Sequence, residues 1–373
     1  MREDLNVPMA KGAIADDARV RAAVPTLQHL ARRGAKVIVM SHLGRPKDRE
    51  PELSLHPVAT HLARLLGQEV RFAEDCVGEP ASAAARALVN GQVLLLENVR
   101  FHKEDEENDP DFARQLASLG ELFVNDAFAA SHRAHASVVG VANYLPAFAG
   151  ELMQAELEAL HRALDQPRRP MIAVVGGAKV STKVGVLRHL LEKVDSLLIG
   201  GAMANTFFKA RGWPTGKGLV EDTALDEANA VAKEAGDKLV LPVDLVCARQ
   251  MEAGEALRIM DADAVEPGWM ALDIGPKSVA LFSEPMRNAG TVIWNGPVGV
   301  AEIKDFADGT KALGEAIANS GAFTLVGGGD TVAAIESLGL AGRYSHVSTG
   351  GGATLELLEG RELPGVTALT DKA

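Results

Sequence analysis

Short apolar runs alternate with amphipathic helical stretches along almost the whole 373-residue chain. The runs are apolar on both faces, which is typical of strands buried inside a sheet. They are KVIVM (36–40), VLLLE (93–97) and LFVND (122–126) in the first half, and MIAVV (171–175), SLLI (196–199), TVIW (291–294) and FTLV (323–326) in the second. Such strands, separated by helices, predict an α/β fold with doubly wound parallel sheets covered by helices on both faces.

The length of the chain predicts two domains, because a single hydrophobic core rarely grows past roughly 250–300 residues. The clearest helical pattern begins near Asp17 and is ended by Gly34. A second predicted helix, over 151–164, stands between a stretch rich in proline and glycine and a polar segment bounded by prolines. We therefore expect domains at 1–150 and 171–358, joined by a hinge helix and linker at 151–170.

Composition excludes several classes of protein. The net charge of -12 argues against non-specific nucleic-acid binding, which needs a basic face. Two cysteines, Cys76 and Cys247, lack the spacing of a zinc site or a disulfide framework, so we expect reduced thiols and a cytoplasmic protein. No apolar run approaches the roughly 20 residues that span a bilayer.

Arginine and histidine follow each of the three strands in the first half. The segments are SHLGRP (41–46), NVRFH (98–102) and SHRAH (131–135). Ligands of α/β sheets bind beyond the carboxyl ends of the strands, so these segments and Arg19 predict one cationic site. Arginine holds phosphate and carboxylate through two parallel hydrogen bonds, which indicates a small, highly anionic ligand. Solvated loop tips are the alternative, and a metal site is disfavoured because the histidines adjoin arginines and lack an i, i+4 pair.

The amino-terminal segment offers polar groups of a different kind. Asp4 and Asn6 alternate along an extended stretch and are expected to project to one side, where they would accept hydrogen bonds from the hydroxyl of a small acid. Both residues are equally typical of a turn, so that interpretation stays open.

Glycine clusters follow the strands of the second half. They are Gly176-Gly177-Ala178-Lys179, Gly200-Gly201-Ala202, Asn295-Gly296-Pro297 and Gly327-Gly328-Gly329-Asp330-Thr331. Glycine lets the backbone approach a ligand, and a helix beginning there presents free N–H groups, so a nucleotide site is predicted. A Walker loop is absent from the sequence, as is a G-x-G-x-x-G followed by an acidic residue about 20 positions on.

Three charged residues in these loops predict phosphate and metal binding. Lys179 and Lys183 are four apart, which predicts two cations on one helical face that need an anion such as a triphosphate. The alternative is a pair of exposed surface lysines. Asp330 is a predicted Mg²⁺ ligand, and its alternative role is to cap a helix beginning near Thr331.

Taken in order, these segments resemble the phosphoglycerate kinase family. The motifs that carry the resemblance are DLNVP (4–8), SHLGRP (41–46), ENVRFH (97–102), HRAHAS (132–137), GGAKVSTK (176–183), WNGPVGV (294–300), GGGDT (327–331) and STGGGA (348–353). The match is collinear and covers nearly the whole chain. It implies two Rossmann-like domains separated by a cleft, the first holding phosphoglycerate and the second Mg-nucleotide. It also implies that the carboxyl-terminal segment, about 359–373, returns to the first domain.

The resemblance assigns roles by position. It implies substrate contacts from Arg2, Asp4, Asn6, Arg19, His42, Leu43, Gly44, Arg45, Arg100, His132 and Arg133. It implies nucleotide contacts from Lys179, Lys183, Gly201, Asn295, Glu302, Gly327, Gly328, Gly329, Asp330 and Thr331, with Mg²⁺ on Asp330. The expected catalytic groups are Arg19 and Lys183 on the transferring phosphoryl, Lys179 on the nucleotide phosphates, and Gly351 and Gly352 as backbone donors. The implied reaction is reversible phosphoryl transfer between ATP and the carboxylate of 3-phosphoglycerate, by a cytoplasmic monomer that closes about a hinge.

Three features depart from the family pattern. Family members begin with a further segment that forms a central strand before the motif at 4–8, and we expect a misplaced start codon or a truncated sequence here. Without that strand, a cavity and two exposed strand edges are expected. Ala301 stands where the family usually has phenylalanine, and Ala129-Ala130 where it has glycine and threonine. None of these changes removes a charged group needed for the chemistry.

Two other classes of function are considered. The doubly wound architecture alone would also suit a nicotinamide-dependent oxidoreductase, although the dinucleotide fingerprint is missing. A non-catalytic binding protein is the other possibility, and retention of every candidate charged residue argues against it.

Overall fold

The computed structural model describes residues 1–370, which form two compact units. The first unit contains Met1–Leu157 and the segment from Glu362 onward, and the second contains Glu158–Arg361. Residues 371–373 of the predicted returning segment lie outside the described residues.

The elements alternate between strand and helix along most of the chain. Up to the connecting helix they are β1 (Met9–Ala10), β2 (Ala13–Ile14), α1 (Ala18–Arg32), β3 (Val37–Val39), α2 (His56–Leu66), β4 (Val70–Ala73), α3 (Gly78–Arg86), β5 (Val93–Leu96), α4 (Lys103–Glu106), α5 (Pro110–Ala117), β6 (Phe123–Asn125), β7 (Ala147–Ala149) and α6 (Glu151–Leu164). Beyond it they are β8 (Met171–Val175), α7 (Val184–Lys193), β9 (Ser196–Ile199), α8 (Ala202–Ala210), α9 (Leu225–Ala235), β10 (Leu239–Val240), β11 (Asp244–Ala248), β12 (Arg258–Asp261), β13 (Met270–Ile274), α10 (Pro276–Ser283), β14 (Thr291–Asn295), α11 (Asp308–Ala318), β15 (Phe323–Gly327), α12 (Gly329–Ser337), β16 (His346–Val347), α13 (Gly352–Leu358) and α14 (Pro364–Thr367).

The first unit contains a parallel sheet with an interruption in its middle. Strands β4, β5 and β3 pair in that order, and β6 pairs with β7. Arg2 lies between the two groups and forms parallel bridges to Met40 and Asn125. The returning segment joins this unit through hydrogen bonds, with the Thr370 amide donating to the Ala147 carbonyl at 2.8 Å.

A cavity of about 810 Å³ lies beside Met1 in this interruption. It is lined by residues of β3 and β6 and by apolar side chains of the helices that cover them, including Leu30, Leu116 and Val141. Within the described residues, the backbone ladder hydrogen bonds that link strand β3 to strand β6 are carried by Met1–Glu3. A cavity is therefore present where one was expected, whereas the strand edges beside it are paired in part by Met1–Glu3.

The second unit is built on a continuous six-stranded parallel sheet. Its strand order is β10-β9-β8-β14-β15-β16, with helices packed on the apolar faces. A separate antiparallel sheet of order β12-β11-β13 accompanies it. The order is doubly wound, because the chain builds outward in both directions from β8 and β14.

All seven predicted strands are present, within one or two residues of the predicted bounds. The predicted helices at 17–34 and 151–164 are confirmed as α1 and α6. In the part of the chain that the structure describes, no helix combines the length and apolar character needed to cross a membrane.

Candidate functional site

The carboxyl ends of the strands in the first unit carry a cluster of arginines around His42. His42 is buried, with only 5% of the residue exposed. Burial holds its pKa well below the usual value, and the nearby guanidiniums of Arg2, Arg100, Arg19 and Arg133 lower it further. His42 is therefore neutral and lies among cations.

Arg19 is held in place by the amino-terminal segment. One guanidinium nitrogen lies 2.8 Å from Oδ2 of Asp4 and donates to the carbonyl of Asn6 at 3.2 Å. The other Asp4 oxygen accepts from the Asn6 amide at 3.2 Å, a local side-chain-to-backbone contact typical of aspartate. The Asn6 side chain accepts from the Gly44 amide at 2.8 Å. These contacts tie the loop after β3 to α1.

Arg100 is buried and is positioned by the same loop. It donates to the Gly44 carbonyl at 3.0 Å, and its Nε lies 3.2 Å from a carboxylate oxygen of Glu106. Burial is the main cause that lowers its pKa, and Glu106 opposes this. Gly44 has a φ of 65°, in the left-handed region, and a Cβ there would meet Leu53. Glycine is therefore required where the loop turns between Asn6 and Arg100.

Two buried polar residues that the sequence did not single out hold these loops. The Asn98 amide donates to the carbonyls of Leu43 and Leu53 at 2.8 and 2.9 Å. Glu97 accepts from the amides of Leu55 and Asn98 at 2.9 and 2.7 Å. Both belong to the matched segment at 97–102, but nothing in the sequence distinguishes a residue that supports a loop from one that contacts a ligand.

The remaining basic residues divide between the cluster and other partners. Arg133 donates to the His132 ring at 3.1 Å, and Arg45 is exposed in the loop after β3. Within residues 1–370, neither arginine forms an ion pair with a carboxylate. His102 points elsewhere, because its Nε2 lies 2.7 Å from Asp75. The cluster is therefore built on arginines and His42 rather than on a set of histidines.

The second unit places its glycine loops side by side at one edge of the sheet. Strands β9, β8, β14 and β15 are neighbours, so the loops that follow them meet. Gly201 has a φ of 68°, and a Cβ there would lie 2.8 Å from the Gly177 carbonyl oxygen and 3.0 Å from that of Pro297. Three loops touch at this residue, which leaves no space for a side chain.

Lys183 turns inward at this edge. Its ammonium donates to the Gly176 carbonyl at 2.8 Å and to the Asn295 carbonyl and side-chain oxygens at 3.0 and 2.7 Å. Burial lowers the pKa of Lys183 to about 8, and Asp330 opposes the shift. The Asn295 side-chain nitrogen is buried without a partner in the described part of the chain. This donor is available to a ligand.

The expectation that Lys179 and Lys183 share one helical face is wrong. Helix α7 begins only at Val184, and residues 176–183 form a loop. Gly177, with a φ of 108°, starts this loop, and Glu221 holds it by accepting from the Ser181 amide at 3.0 Å. Lys179 is exposed on the loop, whereas Lys183 is half-buried.

Asp330 and Thr331 stand in the first turn of α12. The Thr331 hydroxyl accepts from the Gly296 amide at 2.6 Å, which joins the loops after β14 and β15. The cap position of α12 is Gly328, so Asp330 does not cap the helix and its carboxylate is exposed. Gly327 and Gly329 flank this cap. An exposed carboxylate beside a helix amino terminus suits a metal bound to phosphates.

Two further segments of the second unit carry predicted residues. Glu302 is exposed in a turn before α11, and the buried Asp273 accepts from the Gly309 amide in the first turn of α11 at 2.6 Å. Burial raises the pKa of Asp273 to about 7. Gly351 is the cap residue of α13 and Gly352 its first residue, so their amides lie at a helix amino terminus.

Comparison with known proteins identifies the family. The family model for phosphoglycerate kinase matches residues 1–361. The chain belongs to the phosphoglycerate kinase family. Phosphoglycerate kinase from Moorella thermoacetica is 54% identical over 376 residues, covering 100% of this chain and 96% of that protein. One from a Synechococcus strain is 53% identical over 389 residues, covering 100% and 94%.

Solved structures of the family share the fold. The structure of phosphoglycerate kinase from Coxiella burnetii aligns with a TM-score of 0.91 at 45% identity, covering 98% of this chain and 94% of that one. The enzyme from Pyrococcus horikoshii aligns with a TM-score of 0.86 at 35% identity, covering 99% and 94%. The predicted fold class of two Rossmann-like units is confirmed.

Proposed function

We propose how the residues described above divide the family reaction between them. As a member of the phosphoglycerate kinase family, the chain is a phosphotransferase that moves a phosphoryl group reversibly between ATP and the carboxylate of 3-phosphoglycerate. The first unit binds 3-phosphoglycerate or 1,3-bisphosphoglycerate, and the second binds ATP or ADP.

The observation that carries the substrate assignment is that the positive charges of Arg19, Arg100 and Arg133 all act on the buried His42 ring and lower its pKa. Three guanidiniums around a neutral ring form a site that favours phosphate and carboxylate groups. Arg45, in the adjoining exposed loop, completes the proposed set. Asp4 is engaged by Arg19, so its proposed part is to orient that guanidinium as well as to face the ligand.

The proposed chemistry needs no general base. The attacking carboxylate of 3-phosphoglycerate is ionised at neutral pH, because free carboxyl groups have pKa values near 4. The protein therefore positions the reactants and neutralises charge on the phosphoryl group. We assign this neutralisation to Arg19 and Lys183, with Lys179 and the amides of Gly351 and Gly352 acting on the nucleotide phosphates. Because the two ligands belong to different units, transfer also requires a closing movement that excludes water.

Mg²⁺ is part of the proposal. The exposed Asp330 carboxylate in the first turn of α12 fits the ion, which takes one or two carboxylates together with phosphate oxygens. When bound, Mg²⁺ neutralises phosphate charge. We also propose a monomer, as the family resemblance implies, and a cytoplasmic location, since Cys76 and Cys247 are buried free thiols, as expected in a reducing compartment.

Substitution of Arg19 tests the assignment. Arg19→Ala is expected to lower kcat by about 100-fold or more, the range seen when one donor to a developing charge is removed, while KM for 3-phosphoglycerate changes far less. Arg21→Ala is the matched control, because Arg21 lies on the same helix and pairs only with Asp17 at 2.8 Å. Steady-state kinetics in both directions would measure these effects. A variant that loses affinity but keeps its turnover would refute the role given to Arg19.

A further inference from the structure

Arg2 lies behind the cationic cluster, although the resemblance implies a substrate contact. The residue has 0% of its surface exposed. Its backbone is fixed in the sheet, because its amide donates to the Val124 carbonyl at 2.8 Å and its carbonyl accepts from the Asp126 amide at 2.9 Å. A side chain so enclosed does not reach a ligand that enters from solvent.

The guanidinium of Arg2 uses all three of its nitrogens within the protein. Its Nε donates to the Ser137 hydroxyl at 3.1 Å, and one terminal nitrogen lies 3.3 Å from the Ser41 hydroxyl. The other terminal nitrogen lies 2.9 Å from Nδ1 of His42. Arginine has N–H donors only, so it is the donor in each contact.

The contact with Arg2 decides where His42 carries its proton. Since the guanidinium donates to Nδ1, that nitrogen must present a lone pair, and a neutral imidazole then holds its hydrogen on Nε2. A protonated ring would place two donors and two positive charges against each other. Within the described residues, Nε2 of His42 forms no hydrogen bond. This N–H is available on the side of the ring opposite Arg2.

We propose that Arg2 is a positioning residue that fixes His42 as its neutral Nε2–H tautomer, so that the ring donates a hydrogen bond to a phosphate or carboxylate oxygen of the bound acid. The inference rests on the proposed location of the substrate site. A neutral donor adds directionality among Arg19, Arg100 and Arg133 without adding another positive charge. Arg2 thus acts on the ligand through His42 and does not contact the ligand itself.

The tautomer is measured directly in the unaltered protein. In ¹⁵N-histidine NMR spectra at pH 7.5, with His42 assigned by comparison with His42→Asn, we expect a pyrrole-type Nε2 and a pyridine-type Nδ1. Added 3-phosphoglycerate should shift the Nε2 resonance and leave the tautomer unchanged. A ring protonated on Nδ1, or doubly protonated, would overturn the proposal. This result does not depend on whether any Arg2 variant folds.

Arg2→Met then separates positioning from structural support. We expect His42 to lose its single tautomer, and KM for 3-phosphoglycerate to rise about tenfold, the loss expected for one hydrogen bond to a charged group, while KM for ATP is unchanged. Ser137→Ala is the matched control, since it removes a different partner of the same guanidinium and should retain the tautomer. Arg2→Met with unchanged tautomer and KM but lower thermal stability would show that Arg2 only supports the sheet.

If the Arg19→Ala test of the proposed function failed while the tautomer was as expected, the site assignment would fall and the Arg2–His42 pairing would stand.

Discussion

The buried ammonium of Lys183 predicts an alkaline limit on nucleotide binding. Its pKa is lowered to about 8 by burial, and the proposed nucleotide site needs its positive charge. If only the protonated form binds phosphate well, the apparent Kd for ATP rises by the factor 1 + 10^(pH − pKa). That factor is about tenfold at pH 9 relative to pH 7. ATP itself is fully ionised over the upper part of this range, so the change reports the protein.

The same group predicts the opposite trend for the stability of the nucleotide-free protein. Between about pH 8 and 10.5, the unfolded chain binds more protons at Lys183 than the folded chain does, so the free energy of unfolding rises with pH there. The difference between 10.5 and about 8, at roughly 1.36 kcal/mol per pH unit, corresponds to about 3 kcal/mol. One residue thus weakens nucleotide binding and strengthens the fold as pH increases.

Calorimetric titration with ATP from pH 7 to 9.5 would test the first trend, and denaturant unfolding over pH 7 to 10.5 the second. Lys183→Arg should bind ATP with little pH dependence, because arginine keeps its charge, and Lys183→Met should lose the pH-dependent part of both trends. Lys209→Met, which removes an exposed lysine paired with Asp222 at 2.6 Å, should behave like the unaltered protein. Equal alkaline slopes for the unaltered protein and Lys183→Arg would refute the reasoning.

Substitutions at three further positions test buried hydrogen bonds and one close backbone contact. Glu97→Gln should keep the free energy of unfolding within about 1 kcal/mol, since an amide oxygen replaces the acceptor of the Leu55 amide, whereas Glu97→Ala should lower it by about 2 kcal/mol in urea titrations. Asp244→Ala should lower it by about 2 kcal/mol as well, because Asp244 accepts from the Ser278 amide and hydroxyl, both at 2.7 Å; an unchanged urea midpoint would contradict this. Gly201→Ala should weaken ATP binding in calorimetry without affecting 3-phosphoglycerate binding, since its Cβ would collide with the loops after β8 and β14.

The sequence predicts the parallel sheets well, because buried strands leave an unmistakable apolar signal. It does not predict the antiparallel sheet of β11, β12 and β13, in which β12 is largely exposed and buries only Met260. The sequence also does not predict the short strands β1 and β2, because two residues are too few to show a period.

For the candidate site, the position of a motif predicts the edge of the sheet at which its residues lie. It does not predict the direction in which their side chains point. Lys179 and Lys183 illustrate the limit, because a helical spacing of four has no meaning once Gly177 turns the segment into a loop. Arg2 illustrates another, since its charge suggests a ligand contact and only the folded sheet shows that it is enclosed. Whether a charged residue is buried depends on strands that are distant in the sequence, so the neighbouring residues do not predict its burial.

The cavity beside Met1 has a consequence for how the first unit opens. In the described chain, the backbone ladder between strands β3 and β6 runs through Met1–Glu3, so only a few ladder hydrogen bonds hold these two strands together. Local openings of this kind lie well below global unfolding in free energy. Hydrogen–deuterium exchange should therefore report two blocks, with the amides of Arg2 and Glu3 exchanging faster than those of the enclosed strand β5.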